Sequence, residues 1–210
     1  MSQKKIIGLI DYGAGNITSL SNAFHRLGEE TCLTADKEAL EKCRALVIPG
    51  VGSFGQAMQA LKKLNLDTFL QQQALSGKLI FGICLGLQLF FSNSEEDNNE
   101  EGLGLLPGKV VRFRGSQKVP HMGWNRLYLQ DTPLLFAEVP DGSYFYFVHS
   151  YYVVPREKED VWGVTNYDVL FPAAVGRDNI IGVQFHPEKS GSAGLKVLAG
   201  FLKILSDRER

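Results

Sequence analysis

Three short, largely apolar runs in the first half of the chain, at residues 5–11, 45–48 and 79–83, each end on turn-forming residues and lead into a segment with helical spacing. A strand covered by helices on both faces reads as a continuous apolar run, whereas a strand with one wet face alternates. The runs therefore predict buried parallel strands joined by helical crossovers, with the first helix over 16–27. In such sheets functional groups collect at the carboxyl ends of the strands. Those ends read DYG, IPG and GIC.

After about residue 107 the pattern changes to strands separated by turns, at 109–113, 126–129, 143–154, 161–166, 173–176 and 180–185, which predicts a mixed or antiparallel portion. A closing helix over 191–205 places Leu195, Leu198, Phe201, Leu202 and Leu205 at helical spacing. No linker divides the halves, and 210 residues suffice for one ordinary core. The expected fold is α/β, a single domain over 1–210 with a mixed, mostly parallel sheet flanked by helices.

Several function classes are disfavoured by charge and cysteine usage. Twenty-two basic against 23 acidic residues give a net charge of -1, which lacks the basic field that nucleic acid or an anionic membrane surface needs. No apolar stretch reaches 18 residues, and the early IIGLI run is short for a signal segment. Three cysteines without a CxxC argue against a disulfide framework and against a zinc site. The expectation is a cytoplasmic protein with no metal and no cofactor, whose thiols stay reduced and one of which is available as a nucleophile.

Cys84 has the context for that role. Gly82-Ile83-Cys84-Leu85-Gly86 has the form G-x-nucleophile-x-G between a strand and a helix, where a sharp turn strains the nucleophile and glycines give it room. The N-terminus of the helix starting near Leu85 favours thiolate over thiol. Alone, the segment fits a buried core cysteine as well. Cys32 and Cys43, in an ordinary strand and a short helix, read as structural.

A nucleophilic thiol needs a base, and the base needs an orienting group. Of four histidines, His186 stands out: the buried strand IIGVQF runs into His186-Pro187-Glu188, so the imidazole lies at a strand end like Cys84. Pro187 fixes the backbone, allowing Glu188 to hold one ring nitrogen while the other faces the thiol. The acidic run at 94–101 reads as a solvated loop. Residues 50–55 also fit G-x-G-x-x-G, a dinucleotide-binding pattern, but they follow the third strand, and the first βα turn lacks the third glycine.

Taken together, GICLG with Gln88 four residues after the cysteine, IPGVGSFG and FHPE resemble class I glutamine amidotransferases. The resemblance spans the chain: DYGAGN at 11–16, PGVGSFG at 49–55, PHMGWN at 120–125, YFVHSYY at 146–152 and FHPEKS at 185–190 are similar to the glutaminase subunits of imidazole glycerol phosphate synthases. It implies that Cys84 attacks the glutamine side-chain amide, that His186 transfers protons, and that Glu188 orients His186. Backbone N–H groups of Leu85 and of the Gly50-Val51-Gly52 strand would hold the oxyanion. Substrate would meet Gln88, Glu96 and the backbone of Ser150 and Tyr151. For Glu96 the resemblance stands beside the solvated-loop reading of its run.

The resemblance further implies a (β/α)8-barrel cyclase as partner, which takes the ammonia and makes imidazole glycerol phosphate and AICAR in histidine biosynthesis. Asn16, Trp124, Asn125, Tyr146, His149 and Lys189 match positions at or near that interface. A peptide flip between Gly50 and Val51 is the expected device by which partner and nucleotide switch the glutaminase on. A paralogous barrel synthase in surface-sugar biosynthesis would use the same glutaminase chemistry. A non-catalytic module on this fold is disfavoured by the intact Cys-His-Glu set.

Overall fold

A computed structural model describes residues 6–13, 15, 17–96, 100–130 and 133–210. The first half alternates strand and helix: β1 (Ile6–Ile10), α1 (Ile17–Arg26), β2 (Glu30–Thr34), α2 (Lys37–Glu41), β3 (Ala45–Ile48), α3 (Phe54–Lys63), α4 (Leu66–Leu75), β4 (Leu79–Ile83) and α5 (Leu85–Gln88). The second half is richer in strands: β5 (Asn93–Ser94), β6 (Glu100–Glu101), β7 (Gly108–Arg112), β8 (His121–Arg126), β9 (Tyr128–Leu129), β10 (Tyr144–His149), β11 (Tyr151–Pro155), β12 (Val161–Tyr167), β13 (Val169–Arg177) and β14 (Ile180–Val183), before α6 (Gly191–Arg208) closes the chain.

Among the described residues, eight strands form the main sheet in the order β2-β1-β3-β4-β14-β13-β12-β9. The run from β2 to β14 is parallel, and the run from β14 to β9 is antiparallel. This is the mixed, mostly parallel α/β sheet expected from the apolar runs. The inner parallel strands β1, β3, β4 and β14 are buried on both sides, while β2 at the edge is partly exposed, and the buried side chains still alternate between two cores. On β4, Leu79, Phe81 and Ile83 face α1 and α6, with the Phe81 ring stacked on Phe201 at 4.9 Å. Ile80 points the other way, into the core built by α3, α4 and Phe90.

Two expectations need correction. The stretch 143–154 is not one strand: β10 pairs with β8 in a separate two-stranded ribbon, and β11 joins β7 in a small four-stranded sheet. The break falls at Ser150, between two segments with the same apolar-aromatic character. The strand expected at 126–129 is two elements, β8 ending at Arg126 and β9 starting at Tyr128. On β8 the outward positions carry Met122 and Trp124, so the alternation of buried and exposed positions is invisible as an alternation of polarity.

Candidate active site

Strand register brings the candidate residues together. β4 lies between β3 and β14, with Gly82 opposite Ile48 on one side and Ile83 opposite Val183 on the other. The segments leaving these adjacent carboxyl ends are therefore 49–52, Cys84 and the run through His186. The Cys84 N–H donates to the Val183 carbonyl at 2.8 Å, extending the ladder by one bond before the chain turns into α5.

Cys84 has φ +54° and ψ -107°, a conformation that costs a non-glycine residue about 1–3 kcal/mol and persists only when its surroundings impose it. Close backbone packing does so here. A Cβ on Gly86 would collide with the Ile48 carbonyl, and one on Gly50 would lie 2.5 Å from the Leu85 Cβ. The glycine-only backbone in the 49–52 segment is at Gly52, with φ +113°. The Pro49 carbonyl is pinned by the Tyr12 hydroxyl at 2.6 Å. α5 is a single turn, so the dipole expected to act on Cys84 is that of a four-residue helix.

His186 is 2% exposed and its orientation is set from several sides. Its N–H donates to the Tyr146 carbonyl at 3.0 Å, and its carbonyl accepts from the Ser190 hydroxyl at 2.6 Å. Pro187 begins the short 3-10 turn Pro187–Lys189, which returns the Glu188 carboxylate to His186 Nδ1 at 2.8 Å. The opposite nitrogen, Nε2, is buried with no hydrogen-bond partner, as is Glu188 Oε2. Burial opposes a charged imidazole at this position, but the Cys84 sulfur and Glu188 outweigh it and raise the His186 pKa to about 10. The Cys84 sulfur thus stands close enough to act on the imidazole both by charge and as a hydrogen-bond acceptor, although no bond of standard geometry forms at Nε2.

Cys84 opens onto a cavity of about 290 Å³, a size suited to a small polar ligand. Val51, Gly52, Leu85, Gln88, Glu96, Ser150 and Tyr151 all line it, and Gly50 lies behind it with His186 and Glu188 in a smaller recess. Glu96 is half-buried, and its carboxylate accepts the Phe54 N–H at the start of α3 with 2.8 Å. The solvated-loop reading therefore does not describe this member of the acidic run, although Asp97 to Asn99 lie outside the described residues.

The residues associated with an interface divide. Trp124, Asn125 and Tyr146 lie on the β8–β10 ribbon, with Trp124 57% exposed, and Lys189 sits 5.9 Å over the Tyr146 ring. Asn16 lies outside the described residues. His149, expected at or near this surface, is only 6% exposed and turns inward to line the cavity, because β10 alternates and His149 shares the buried face of Phe145 and Phe147. Cys43 is buried with its thiol on the Ala39 carbonyl at 3.3 Å, and Cys32 lies in β2.

Sequence reasoning missed Gln184, which is fully buried with Nε2 3.7 Å from Cys84 Sγ, and Pro120 and Val148 in the cavity wall. Gln184 stands one residue beyond the Val183–Ile83 pair that ends the β14–β4 register, a placement that no sequence signal marks. Among the described residues, no group of three or more His, Cys, Asp or Glu side chains could hold a metal ion. No helix among them is long and apolar enough to cross a membrane.

Residues 8–204 match the family described as glutamine amidotransferase class-I. The solved structure of PurLQS from Thermotoga maritima shares the fold at a TM-score of 0.76 and 21% identity, covering 97% of this chain and 100% of that one. The chain belongs to the class I glutamine amidotransferases. Imidazole glycerol phosphate synthase subunit HisH of Geobacillus thermodenitrificans is 50% identical over 97% of this chain and 98% of its own length. That of Desulfitobacterium hafniense is 47% identical over 96% of each. Within the class, the chain belongs to the HisH glutaminase subunits of imidazole glycerol phosphate synthase.

Proposed function

We propose that the chain hydrolyses glutamine through Cys84, His186 and Glu188 and passes the ammonia to a barrel cyclase. The observation that carries this reading is His186: one nitrogen is held by Glu188 at 2.8 Å, and the other is buried and unpartnered beside a cysteine at a cavity mouth. A buried polar nitrogen without a partner costs free energy unless a reacting group fills the role.

In the proposed reaction, Cys84 as thiolate forms a bond to the side-chain carbonyl carbon of glutamine, and the negative charge moves to the amide oxygen. Collapse of that intermediate breaks the C–N bond, and the proton held on His186 goes to the departing nitrogen, giving ammonia and a glutamyl thioester. Neutral His186 then takes a proton from water, whose oxygen attacks the thioester, and glutamate leaves with Cys84 restored. Glu188 keeps the imidazole oriented and stabilises its charged form. Gln88 and Glu96 would hold the substrate from opposite parts of the wall, with Glu96 facing its amino group.

The oxyanion donors on this reading are the backbone N–H groups of Leu85 and of the 50–52 segment that follows β3. Partner and nucleotide binding would reorient the Gly50–Val51 peptide to supply one of them, and loss of one such donor lowers turnover by about 100- to 1000-fold. The half-exposed ribbon carrying Trp124 and Tyr146, with Lys189 beside it, is the proposed docking face, since an exposed Trp beside polar residues suits an interface. The relatives named as imidazole glycerol phosphate synthase subunits favour imidazole glycerol phosphate as the product over that of a paralogous synthase, and the proposed partner is the histidine-pathway cyclase with AICAR as second product.

An electrophilic glutamine analogue tests the assignment. Incubated with the assembled synthase, it should modify Cys84 and spare Cys32 and Cys43 in peptide mass spectra, with free glutamine protecting. Labelling that ignores glutamine, or that falls on Cys32 or Cys43 instead, overturns it.

A further inference from the structure

Two imidazoles outside the Cys-His-Glu set are buried beside the cavity, His121 at 3% exposure and His149 at 6%. Around them stand the rings of Phe113, Phe147, Phe171 and Tyr167. An apolar ring would fill such a space without loss of hydration, so two polar rings there call for a use.

Their hydrogen bonds fix every proton. His149 Nδ1 lies 2.8 Å from the Tyr151 carbonyl. A carbonyl only accepts, so Nδ1 carries the proton and Nε2 of the neutral ring is an acceptor. His121 Nδ1 lies 3.0 Å from that Nε2 and must donate to it, which leaves His121 Nε2 as acceptor 3.2 Å from Asn125 Nδ2. The far end gives the same direction independently. Asn125 Nδ2 also donates to the Asn166 carbonyl at 2.9 Å, and its Oδ1 accepts from the Arg126 N–H at 2.8 Å. Burial pushes the His121 pKa down to about 4. Burial likewise takes His149 to about 3, against the opposing pull of the Tyr151 carbonyl. Both rings are therefore neutral at neutral pH, the only state in which the chain is complete.

This chain meets the active site at the Tyr151 carbonyl. From the other side the same oxygen accepts from Gln88 Nε2 at 2.9 Å. The second N–H of that amide faces Gln184 Oε1 at 3.2 Å, which turns Gln184 Nε2 toward Cys84 Sγ at 3.7 Å. One carbonyl is thus clamped by two donors, with both lone pairs engaged, and the clamp sets which end of the Gln184 amide the sulfur sees.

We infer that His121 and His149 are positioning residues of the glutaminase site. They form a directional hydrogen-bond chain that runs from Asn125 on the ribbon to the Tyr151 carbonyl and, through Gln88 and Gln184, orients an N–H donor on the Cys84 sulfur. The inference rests on Cys84 being the nucleophile, and it names a physical link between the proposed docking ribbon and that nucleophile.

The test compares His149→Phe with His149→Asn, and His121→Phe with His121→Asn, in the full chain assembled with its synthase partner. Phenylalanine fills the space and removes the chain, whereas asparagine leaves a cavity but can place an N–H where Nδ1 stood. Loss of the bond to Tyr151 should lower kcat/KM for glutamine about tenfold in His149→Phe, mostly through kcat, with His149→Asn recovering most of it. The His121 pair should show the same order with a smaller loss. A purely structural role predicts the reverse order, because Asn underfills the cage. Phe variants as active as the parent, or Asn variants no better than Phe, overturn the inference. The rate of Cys84 alkylation by iodoacetamide is read in the same proteins and needs no glutamine chemistry. If the parent hydrolyses no glutamine, the reading of Cys84 fails while alkylation still decides. Slower alkylation in the Phe variants, restored in the Asn variants, supports positioning, and equal rates overturn it.

Discussion

At the scale of single residues, the chemistry follows from what one imidazole is denied. His186 has Glu188 on Nδ1 and nothing on Nε2, and its raised pKa has the Cys84 sulfur as the leading cause set against burial. Two consequences can be measured. In Cys84→Ala that cause is gone, so the His186 titration followed by NMR should move well below about 10, and an unchanged titration would contradict the pairing. The second concerns stability. A histidine whose folded pKa lies above its unfolded value contributes stability that is full below about 6.5 and is lost as the pH rises through about 10. The melting-temperature advantage of the parent over His186→Gln should therefore shrink between pH 6 and 10, and a constant gap would refute the charge assignment. Glu188→Gln should retain more turnover than His186→Ala, since on the proposed mechanism Glu188 orients the imidazole and does not transfer the proton. Equal losses in steady-state assays would place Glu188 in the proton path. Cys84 and His186 were legible in the sequence because glycine spacing and proline leave marks there. Gln184 was not, because its place beside Cys84 follows from strand register, which no local pattern encodes, and the inward turn of His149 was hidden because the outward positions Tyr144 and Tyr146 of β10 are as aromatic as the inward Phe145 and Phe147.

At the scale of elements, the site is held by strand ends packed too closely for side chains between them. Gly86→Ala would drive a Cβ into the Ile48 carbonyl, and relief requires β3 and the turn at Cys84 to part. The expected cost is about 1–3 kcal/mol of stability, as for overpacking, with a larger proportional loss of glutaminase activity. Denaturant melts and glutamine assays on the same protein check this, and normal activity would show the turn at Cys84 to be tolerant. The parallel half of the sheet was readable because doubly covered strands such as Ala45–Ile48 are apolar throughout. The ribbon was not, because Met122 and Trp124 on its outer face look like core residues. That same feature makes the ribbon testable: if it is the proposed docking face, Trp124→Ala should weaken assembly with the synthase partner by roughly 2 kcal/mol, in the range of an interface hot spot, while leaving the fold intact. Unchanged affinity in a titration would move the docking face elsewhere.

At the scale of the whole molecule, a doubly wound sheet places the glycine segment, the thiol and the imidazole on three neighbouring strand ends, and the ribbon with its neighbouring turn stands beside them. Sheet topology makes the site, and the buried polar chain from Asn125 inward gives the ribbon a route to it. If a peptide in the 49–52 segment is the gate, glutamine hydrolysis should be low for the chain alone and rise about 100-fold or more with partner and nucleotide. Equal rates in all three conditions would leave those glycines a structural role only. The central claim, that Cys84 supplies ammonia to a partner's reaction, is tested most directly by assaying synthesis in the complex assembled with Cys84→Ala, using glutamine in one arm and a high concentration of ammonia in the other. The account predicts that glutamine-dependent synthesis is abolished and ammonia-dependent synthesis is preserved; glutamine-dependent synthesis that survives the substitution would contradict it.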